Sequence, residues 1–510
     1  MSIITGDILF DLTAIIIGVI TAVIIYCKWS FQYWKDRGVT HLEPKLIWGN
    51  LRPPHRRIIS IGDEVAELYK KAKQNGWKQL GFYNMTEPIY MPIDLNILKH
   101  IITKDFSHFV DRGLYVNEKN EPISAHLFAI GGTKWRNLRT KFTPTFTSGK
   151  MRTMFKTITV CGDQLNRYLI EKITLHEPVD IKDILGNFST DIIGSCAFGL
   201  ECNSFKDPDS PFRQIGKKVF DRTRFENLKF IFANNFPNVA NLLDIRLLDA
   251  EVSNFFTTVV ADSVKYREEN HVHRNDFLQL LIEIKNQAKD GERSGDGSTL
   301  TLDEMVAQSF VFFVAGFETS STTMTYALYE LARNPDIQRK VRDEINFILN
   351  KYGGEVTYDC LSEMKYLSQV IDETLRMYPA VPFITRKCVE EYVVPETNLK
   401  MSKGTRVWIP IKGIHYDEDY YPNPKVFDPE RFSDENKRNR NQYAFIPFGE
   451  GPRMCIGMRF GIVQTKVGLI NVLRNFEIRI DKKTKTPLET DINSFIPKAE
   501  GGIWLNMEKI

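Results

Sequence analysis

The residues with the clearest chemical potential lie in one short segment near the C-terminus, residues 448–457, whose sequence is FGEGPRMCIG. Its cysteine, Cys455, comes just before a helical pattern over residues 458–473. A thiol at the start of a helix meets the positive end of the helix dipole, which favours the metal-binding thiolate. Gly449 and Gly451 let the backbone fold tightly under a flat group. The segment therefore predicts a thiolate ligand to a metal in a flat cofactor. The alternative is a buried cysteine beside a glycine turn.

A second polar group interrupts an apolar stretch, in the sequence Ala315-Gly316-Phe317-Glu318-Thr319. Glycine and threonine are both unfavourable in the middle of a helix, and they can bend it and open a groove for water. Thr319 and Glu318 would place a hydroxyl and a carboxyl beside that groove. The alternative is a kink that is filled by water and has no chemical role.

Two further pairs have the spacing of helix neighbours. Trp135 and Arg139 are four residues apart, so both would donate hydrogen bonds from one helix face to a carboxylate. Glu373 and Arg376 are three apart and flanked by apolar residues, which predicts a buried ion pair that needs further hydrogen bonds. Either pair could also be ordinary surface charge.

Together these motifs resemble those of the cytochromes P450. Residues 448–457 match the pattern F-x-x-G-x-R-x-C-x-G, and residues 315–319 match A-G-x-[D/E]-T. The resemblance extends from the N-terminus to residues 495–497, and it is closest to microsomal, drug- and toxin-metabolising members, especially the insect family-6 type. It implies a mainly α fold with small β-sheets (α+β), in which a long central helix crosses a haem.

The resemblance also implies roles for individual residues. Cys455 would be the axial thiolate ligand of haem b, and Thr319 and Glu318 would deliver protons for oxygen activation. Arg431, in the segment 429–432, would join Glu373 and Arg376 in a structural charge cluster. The expected cofactor-binding residues are Cys455, Arg453, Trp135, Arg139, Arg386, Phe448, Gly449 and Gly457, with Arg112 or His126 as a further contact.

The implied activity is that of an NADPH- and reductase-dependent monooxygenase. It would insert one oxygen atom from O2 into lipophilic molecules such as xenobiotics, insecticides, plant toxins, hormones or lipids. Electrons would come from a flavin-containing NADPH reductase, with cytochrome b5 as a further donor. The reductase would dock on a basic patch formed by Lys134, Arg136, Lys141, Lys437, Arg438 and Arg440. The expected substrate-binding segments are 106–130, 205–243, 312–317, 380–384 and 495–497.

The elements that would position these residues can be outlined from the sequence. An acidic first turn after Thr301, and no proline before Pro335, predict a helix of about 30 residues. Its apolar middle places it in the centre of a domain, and a second membrane span is the competing interpretation. Residues 81–93 and 405–411 are strand-like, and residues 288–298 have the composition of a loop.

The N-terminus has the features of a membrane anchor. Residues 12–27 are sixteen uncharged, mostly apolar residues, and Lys28, Lys35 and Arg37 follow them among aromatic residues. The acidic start argues against a signal peptide, and a buried core helix is the alternative. The predicted organisation is an anchor over 1–30, a basic, proline-containing linker over 31–56, and one catalytic domain over 57–510. The expected location is the endoplasmic reticulum membrane, with the catalytic domain on the cytosolic face.

Composition narrows the remaining classes. The 510 residues carry a net charge of only +3, which gives no reason to expect nucleic acid as a partner. Seven cysteines without a C-x-x-C pair argue against a disulfide framework or a structural zinc site. Two other functions stay open: a haem-thiolate isomerase or dehydratase that needs no outside electrons, and a non-enzymatic haem carrier or sensor.

Overall fold

The computed structural model describes residues 8–174, 177–207, 209–221, 223–287 and 300–510. Helices form most of it, and the predicted class, mainly α with small β-sheets, is confirmed. The expected loop over 288–298 lies outside the described residues. The helices before the central one are α1 (Ile8–Ser30), α2 (Tyr33–Asp36), α3 (Ile61–Gln74), α4 (Leu95–Lys99), α5 (Gly132–Phe142), α6 (Ser148–Ile173), α7 (Ile181–Ile193), α8 (Pro211–Phe220), α9 (Arg224–Asn235), α10 (Pro237–Leu242), α11 (Ala250–Glu269) and α12 (Phe277–Gln287).

The central helix is α13, Leu302–Arg333, which has 32 residues, as its sequence predicts. It begins with a capping box, because the Thr301 hydroxyl accepts from the Glu304 N–H and the Glu304 carboxylate accepts from the Thr301 N–H. It is buried among α7, α11, α16 and α19, so the alternative of a second membrane span is wrong. The helices after it are α14 (Pro335–Lys351), α15 (Cys360–Glu363), α16 (Lys365–Met377), α17 (Ile411–His415), α18 (Asp434–Asn439) and α19 (Met458–Leu473).

Three small sheets accompany the helices. One has the strand order β1-β2-β7-β4, in which only the β2–β7 pair is parallel. The second has the order β3-β9-β8, and the third is the β5–β6 hairpin. The strands are β1 (Gln79–Asn84), β2 (Glu87–Pro92), β3 (Val179–Asp180), β4 (Ile384–Lys387), β5 (Tyr392–Val393), β6 (Lys400–Met401), β7 (Arg406–Ile409), β8 (Phe476–Ile480) and β9 (Trp504–Lys509).

The apolar core has two main parts. The larger surrounds α13, and the smaller lies on the first sheet and includes α3 and α4. The predicted strand-like segments 81–93 and 405–411 both contribute to the smaller core. The candidate functional residues of α13 therefore lie in the larger core, whereas β4 and β7 pack in the smaller core.

Helix α1 lies outside both cores. Its apolar side chains are exposed, with Leu9 at 76% and Trp29 at 72%, so the alternative of a buried core helix is wrong. By length and composition it is the one helix in the described parts of the chain that could cross a membrane. The segment that follows it packs against the first sheet: Trp34 is fully buried, and its indole N–H donates to the Phe82 carbonyl at 3.1 Å.

Candidate active site

The cysteine segment forms a tight loop between the two cores. The Cys455 N–H donates to the Phe448 carbonyl at 2.9 Å, and a short 3-10 helix over Gly451–Arg453 lies between them. Gly451 has a φ of 75°, and a side chain there would collide with the Ile102 carbonyl. A neighbouring π-helix, His100–Lys104, therefore requires this glycine, and its role beside a flat cofactor stays a prediction.

One cavity collects most of the predicted residues. The cavity has a volume of about 280 Å³. The Cys455 side chain is exposed towards this space. The cavity also has Ala315 and Thr319 of α13 in its wall. The predicted residues that line it are Cys455, Arg453, Trp135, Arg139, Phe448, Gly449, Gly457, Thr319 and Arg112. Glu318, Arg386 and His126 are not among its lining residues.

The electrostatic environment of Cys455 has opposing contributions. Burial raises the pKa of the thiol, and this is the largest effect. A hydrogen bond from the Gly457 backbone N–H and the positive charges of Arg139 and Arg112 act in the opposite direction. The expectation that the helix start alone favours the thiolate is therefore too simple. A bound metal cation would stabilise the thiolate further.

Two buried arginines lie in or next to the cavity wall: Arg112 lines the cavity, and Arg386 is fully buried. Burial lowers the pKa values of Arg112 and Arg386, and the charge of Arg112 lowers that of Arg386 further. The Nε and Nη1 atoms of Arg112, and the Nε and Nη2 atoms of Arg386, have no hydrogen-bond partner among the described residues. Buried cations without partners are costly, so this region is built to accept anionic groups. Arg139 of α5 lines the same cavity.

Arg453 is already engaged by the chain. Its guanidinium donates to the carbonyls of Val110 at 2.9 Å, Ile130 at 2.7 Å and Leu127 at 3.3 Å. It also lies over the Trp135 ring, 4.0 Å from the centroid. Arg453 thus links the cysteine loop to the segment before α5 by hydrogen bonds. The predicted contact between Arg453 and a haem propionate stays a prediction.

The two candidate catalytic residues of α13 face different surroundings. The Thr319 hydroxyl donates to the Ala315 carbonyl at 2.7 Å and lies in the cavity wall. The Glu318 carboxylate turns away from the cavity and pairs with the Lys182 ammonium at 2.8 Å. α13 continues through this region as one helix, and Gly316 makes room for Ile193, whose Cδ1 would lie 2.6 Å from an added Cβ. The small side of Gly316 therefore permits a close approach of α7, and the expected bend of α13 stays a prediction.

The comparisons with known proteins agree with these features. The family model described as Cytochrome P450 matches residues 44–505. The chain belongs to the cytochrome P450 family. It is 41% identical over 500 residues to cytochrome P450 6A1 of Musca domestica, and the match covers 97% of each chain. It is 42% identical over 486 residues to cytochrome P450 6a2 of Drosophila melanogaster, which covers 94% of this chain and 96% of that protein.

Membership establishes the chemical class of this P450. It is an oxidoreductase of the haem-thiolate monooxygenase class, and its cofactor is haem b bound through a cysteine thiolate. The site fits that group: a thiol projects into an enclosed space, and the arginines on one side have unpartnered donors for carboxylates such as the haem propionates. Family membership and α1 together indicate membrane association.

In this P450 the predicted charge cluster forms and supports the cysteine loop. The fully buried Arg376 makes a bidentate pair with Glu373, at 2.6 and 2.8 Å. Arg431 approaches the same carboxylate at 3.5 Å, and the Arg376 guanidinium also donates to the His415 carbonyl at 2.9 Å. Glu373 therefore has the additional partners that a buried carboxylate needs.

His415 is a residue of the site that sequence reasoning missed. Its ring nitrogens contact the Arg376 carbonyl at 3.2 Å and the Ile446 N–H at 3.1 Å. Ile446 precedes Phe448 of the cysteine loop by two residues, so one imidazole joins the charge cluster to the loop. A lone histidine in the sequence HYDEDYY carries no motif, and only the fold brings it to Ile446.

Proposed function

We propose that this P450 inserts one oxygen atom of O2 into lipophilic small molecules, and that Cys455 would hold haem b through its thiolate. The observation that carries the proposal is the single cavity that contains both the Cys455 thiol and the Thr319 hydroxyl. Haem held by a thiolate supplies the chemistry, because the thiolate donates electron density that favours O–O cleavage. The residues of the chain then orient the cofactor and substrate, exclude water and move protons.

The cavity wall supports a lipophilic substrate. Apolar side chains line it from three of the expected segments, 106–130, 312–317 and 380–384, among them Leu127, Phe312 and Ile384. The other two expected segments, 205–243 and 495–497, do not line it within the described chain. The substrates we propose are xenobiotics, including insecticides and plant toxins, or hormones and lipids of similar character.

The proposed cofactor contacts follow from the buried donors. The haem propionates would be bound by Arg112, Arg139, Arg386 and the Trp135 indole. The positive charge of Arg453 would also attract the propionates. Phe448, Gly449 and Gly457 would surround the ligand sulfur. His126 is half-buried, and its buried Nδ1 lacks a partner among the described residues, which keeps it as a further candidate.

Proton delivery is the proposed task of Thr319 and Glu318. The Thr319 hydroxyl is in the cavity wall, where it can donate one hydrogen bond into the cavity and accept another from water. Glu318 is its neighbour on α13 and can supply the proton that Thr319 passes on. The intact α13 segment favours a monooxygenase over an isomerase, which would consume no protons from solvent.

Electrons are proposed to come from a flavin-containing NADPH reductase, with cytochrome b5 as a further donor. Part of the basic patch expected to bind the reductase is used within the chain: Lys134 pairs with Glu118 at 3.0 Å, and Lys437 pairs with Asp372 at 2.6 Å. Arg136 and Arg438 are exposed. We therefore place the centre of the docking surface at these two arginines.

The proposed location is the endoplasmic reticulum membrane, with the catalytic domain in the cytosol. Residues 1–30 would form the anchor, and the folded unit that carries the catalytic site would follow it. The positive charges of Lys28, Lys35 and Arg37, directly after α1, support this orientation.

The experiment that tests the proposal is a carbon monoxide difference spectrum of reduced membranes containing the protein. The parent and Cys161→Ala, which removes a buried cysteine outside the cavity, should show the thiolate-type band, and Cys455→Ala should lose it. A screen of lipophilic compounds with added reductase and NADPH should then yield oxygenated products. Turnover of a lipid hydroperoxide without reductase would favour an isomerase, and no NADPH consumption across the screen would favour a haem carrier.

A further inference from the structure

Gln308 of α13 holds the backbone of the segment before α5. Its amide oxygen accepts a hydrogen bond from the Leu127 N–H at 2.8 Å, and its amide nitrogen donates to the Ala125 carbonyl at 3.5 Å. The Gln308 side chain is fully buried, and it is not among the described residues that line the cavity. It also lies outside the segments expected to bind substrate. Any effect of Gln308 on a substrate therefore passes through the backbone that it holds.

The segment held in this way is a turn, residues 126–130. Two hydrogen bonds to the His126 carbonyl close it, at 2.9 and 3.0 Å. Two consecutive side chains of the turn, Leu127 and Phe128, line the cavity. Phe128 is 41% exposed, so the position of its ring depends largely on the backbone. The turn is therefore a part of the cavity wall that is positioned by hydrogen bonds to its backbone.

The cysteine loop holds the same turn through other atoms. The Arg453 guanidinium donates to the carbonyls of Leu127 at 3.3 Å and Ile130 at 2.7 Å. The N–H of Leu127 is thus bound by α13, and its carbonyl is bound by the cysteine loop. These two elements carry Thr319 and Cys455, so the turn has a fixed position relative to both candidate reactive groups.

Gln308 and Thr319 lie on one face of α13. Phe312 and Ala315 lie between them at successive spacings of four, three and four residues, and both line the cavity together with Thr319. The rise from Gln308 to Thr319 along a continuous α-helix is about 16 Å. The helix therefore sets the distance between the wall that Gln308 positions and the Thr319 hydroxyl.

We infer that Gln308 is a positioning residue that determines which atom of a lipophilic substrate is oxidised. The inference rests on the proposed monooxygenase function. A substrate that packs against Leu127 and Phe128 presents one part of its surface to the space between Cys455 and Thr319. The hydrogen bond from Leu127 to Gln308 determines which part that is. A displacement of about 1 Å can change a rate by about 100-fold, so a small shift of the turn alters selectivity.

Loss of the Gln308 amide should shift the turn without unfolding it. The Leu127 N–H is buried, and a buried donor without a partner is costly, so the backbone would move until this N–H found another acceptor. Arg453 would still hold the Ile130 carbonyl, so the turn would pivot about that contact. The cysteine loop would keep its own hydrogen bonds.

The test compares Gln308→Met with a matched control, Gln338→Met. Gln338 is also buried, and its amide also binds one N–H and one carbonyl, both of Ile478 and both at 3.0 Å. It lies between α14 and β8 and is not among the described residues that line the cavity. Both variants lose a buried amide of the same size, so the comparison separates lost stability from a displaced wall.

The first measurement is the affinity of the haem-bound protein for imidazole and 4-phenylimidazole, by absorption titration. Both probes bind metal through a ring nitrogen, and the phenyl group of the larger one reaches the cavity wall. Gln308→Met should weaken binding of 4-phenylimidazole about tenfold relative to imidazole, because the wall is no longer preorganised. Gln338→Met should keep the ratio of the parent. In the lipophilic screen, the ratio of products oxidised at different atoms of one compound should change in Gln308→Met alone.

The second measurement does not depend on turnover. Hydrogen exchange in peptides that contain residues 125–130 should be faster in Gln308→Met than in the parent. In Gln338→Met, exchange should rise around Ile478 instead. If Gln308→Met fails to fold, Gln308→Asn gives the same comparison, because its side chain is one carbon shorter and does not reach the Leu127 N–H.

Three results would overturn the inference. One is an unchanged ratio of the two probe affinities in Gln308→Met. Another is an equal change of that ratio in Gln338→Met, which would mean that lost stability alone alters the cavity. The third is unchanged exchange over residues 125–130. In each case the parent would keep its carbon monoxide difference spectrum and its products, so the proposed function would stand.

Discussion

At the scale of single residues, three buried arginines have unequal surroundings. Arg453 satisfies its guanidinium with backbone carbonyls, whereas Arg112 and Arg386 retain unpartnered donors within the described chain. Burial, and then the charge of Arg112, lowers the pKa of Arg453 to about 9. Burial lowers the pKa of Arg112 to about 10. The three charges therefore repel one another until an anion lies between them.

Arg386→Met should accordingly have opposite effects with and without haem. With haem bound, the variant loses a donor to the propionates, and haem should be released about tenfold faster. Without haem, the variant loses a buried, uncompensated charge, so its free energy of unfolding should equal or exceed that of the parent. Haem transfer to a scavenging protein and urea unfolding of the haem-free forms measure the two effects. A less stable haem-free variant would show that Arg386 has a structural role instead.

Thr319→Ala should separate oxygen activation from substrate binding. The variant retains the apolar cavity, so the spectral change on substrate binding should be unaltered. It lacks the hydroxyl that passes protons, so product per NADPH should fall about tenfold and peroxide should rise. The matched control is Thr190→Ala, because Thr190 also donates to a carbonyl four residues earlier but lies on α7 outside the cavity. Unchanged coupling in Thr319→Ala would refute the proton-delivery role.

At the scale of elements, the cysteine loop depends on parts of the chain far from it in sequence. Arg376 at the end of α16 donates to the carbonyl of His415 at the end of α17, and the His415 ring accepts from the Ile446 N–H before the loop. The ring also stacks on Phe445, with centroids 5.5 Å apart. The C-terminal ends of α16 and α17, together with the His415 imidazole, therefore fix the position of the cysteine loop relative to α16.

His415→Phe should loosen the loop without removing the stacking ring. The Ile446 N–H and the Arg376 carbonyl would lose their buried partner, which should lower the free energy of unfolding by about 2–5 kcal/mol. The haem-bound variant should also convert more readily to a form without the thiolate-type spectrum. His273→Phe, a change at an exposed histidine, is the control. Equal urea midpoints for the two variants would contradict the bridging role.

Acid should remove the stabilisation that the His415 hydrogen bonds give to the parent protein. Burial, and then the charge of Arg376, lowers the pKa of His415 from 6.5 to about 3. The unfolded chain therefore binds this proton first, and the contribution to stability is complete above about pH 6.5 and is lost as the pH falls towards 3. The gap in unfolding free energy between the parent and His415→Phe should narrow over this range. A gap that is independent of pH would show that the ring does not act as a neutral acceptor.

Features that depend on residues close together in the sequence could be predicted, whereas contacts between residues far apart in the sequence could not. The bounds of α13 were predictable, because a capping box and the next proline are local signals, and so was the Glu373–Arg376 pair within one helix turn. The Lys182–Glu318 pair joins a residue of α7 to a residue of α13, so no local sequence pattern predicts it. For the same reason, Arg453 could be recognised as part of a motif, but its three carbonyl partners could not.

At the scale of the whole molecule, the segment between α1 and α3 is part of the fold. Trp34 is fully buried, and Gly81 of β1 has no side chain to displace its ring. Val39, Leu42 and Leu51 are also buried in the core on the first sheet. The sequence suggested a stiff linker over 31–56, since prolines and basic residues are concentrated there. We therefore propose that the folded unit begins near Trp34, and that the anchor alone is dispensable for folding.

Two truncations test where the folded unit begins. A chain that starts at Phe31 lacks the anchor and should retain the thiolate-type carbon monoxide spectrum, with weaker binding to membranes. A chain that starts at Arg57 also lacks four buried apolar side chains, and the loss of Trp34 alone should cost about 3–5 kcal/mol. Because whole domains are stable by only about 5–15 kcal/mol, this chain should not yield a folded haem protein. Trp34→Ala in the full-length chain isolates the largest contribution by urea unfolding. If the chain from Arg57 matched the chain from Phe31 in spectrum and unfolding midpoint, residues 31–56 would be a spacer, because the first sheet would then be stable without their side chains.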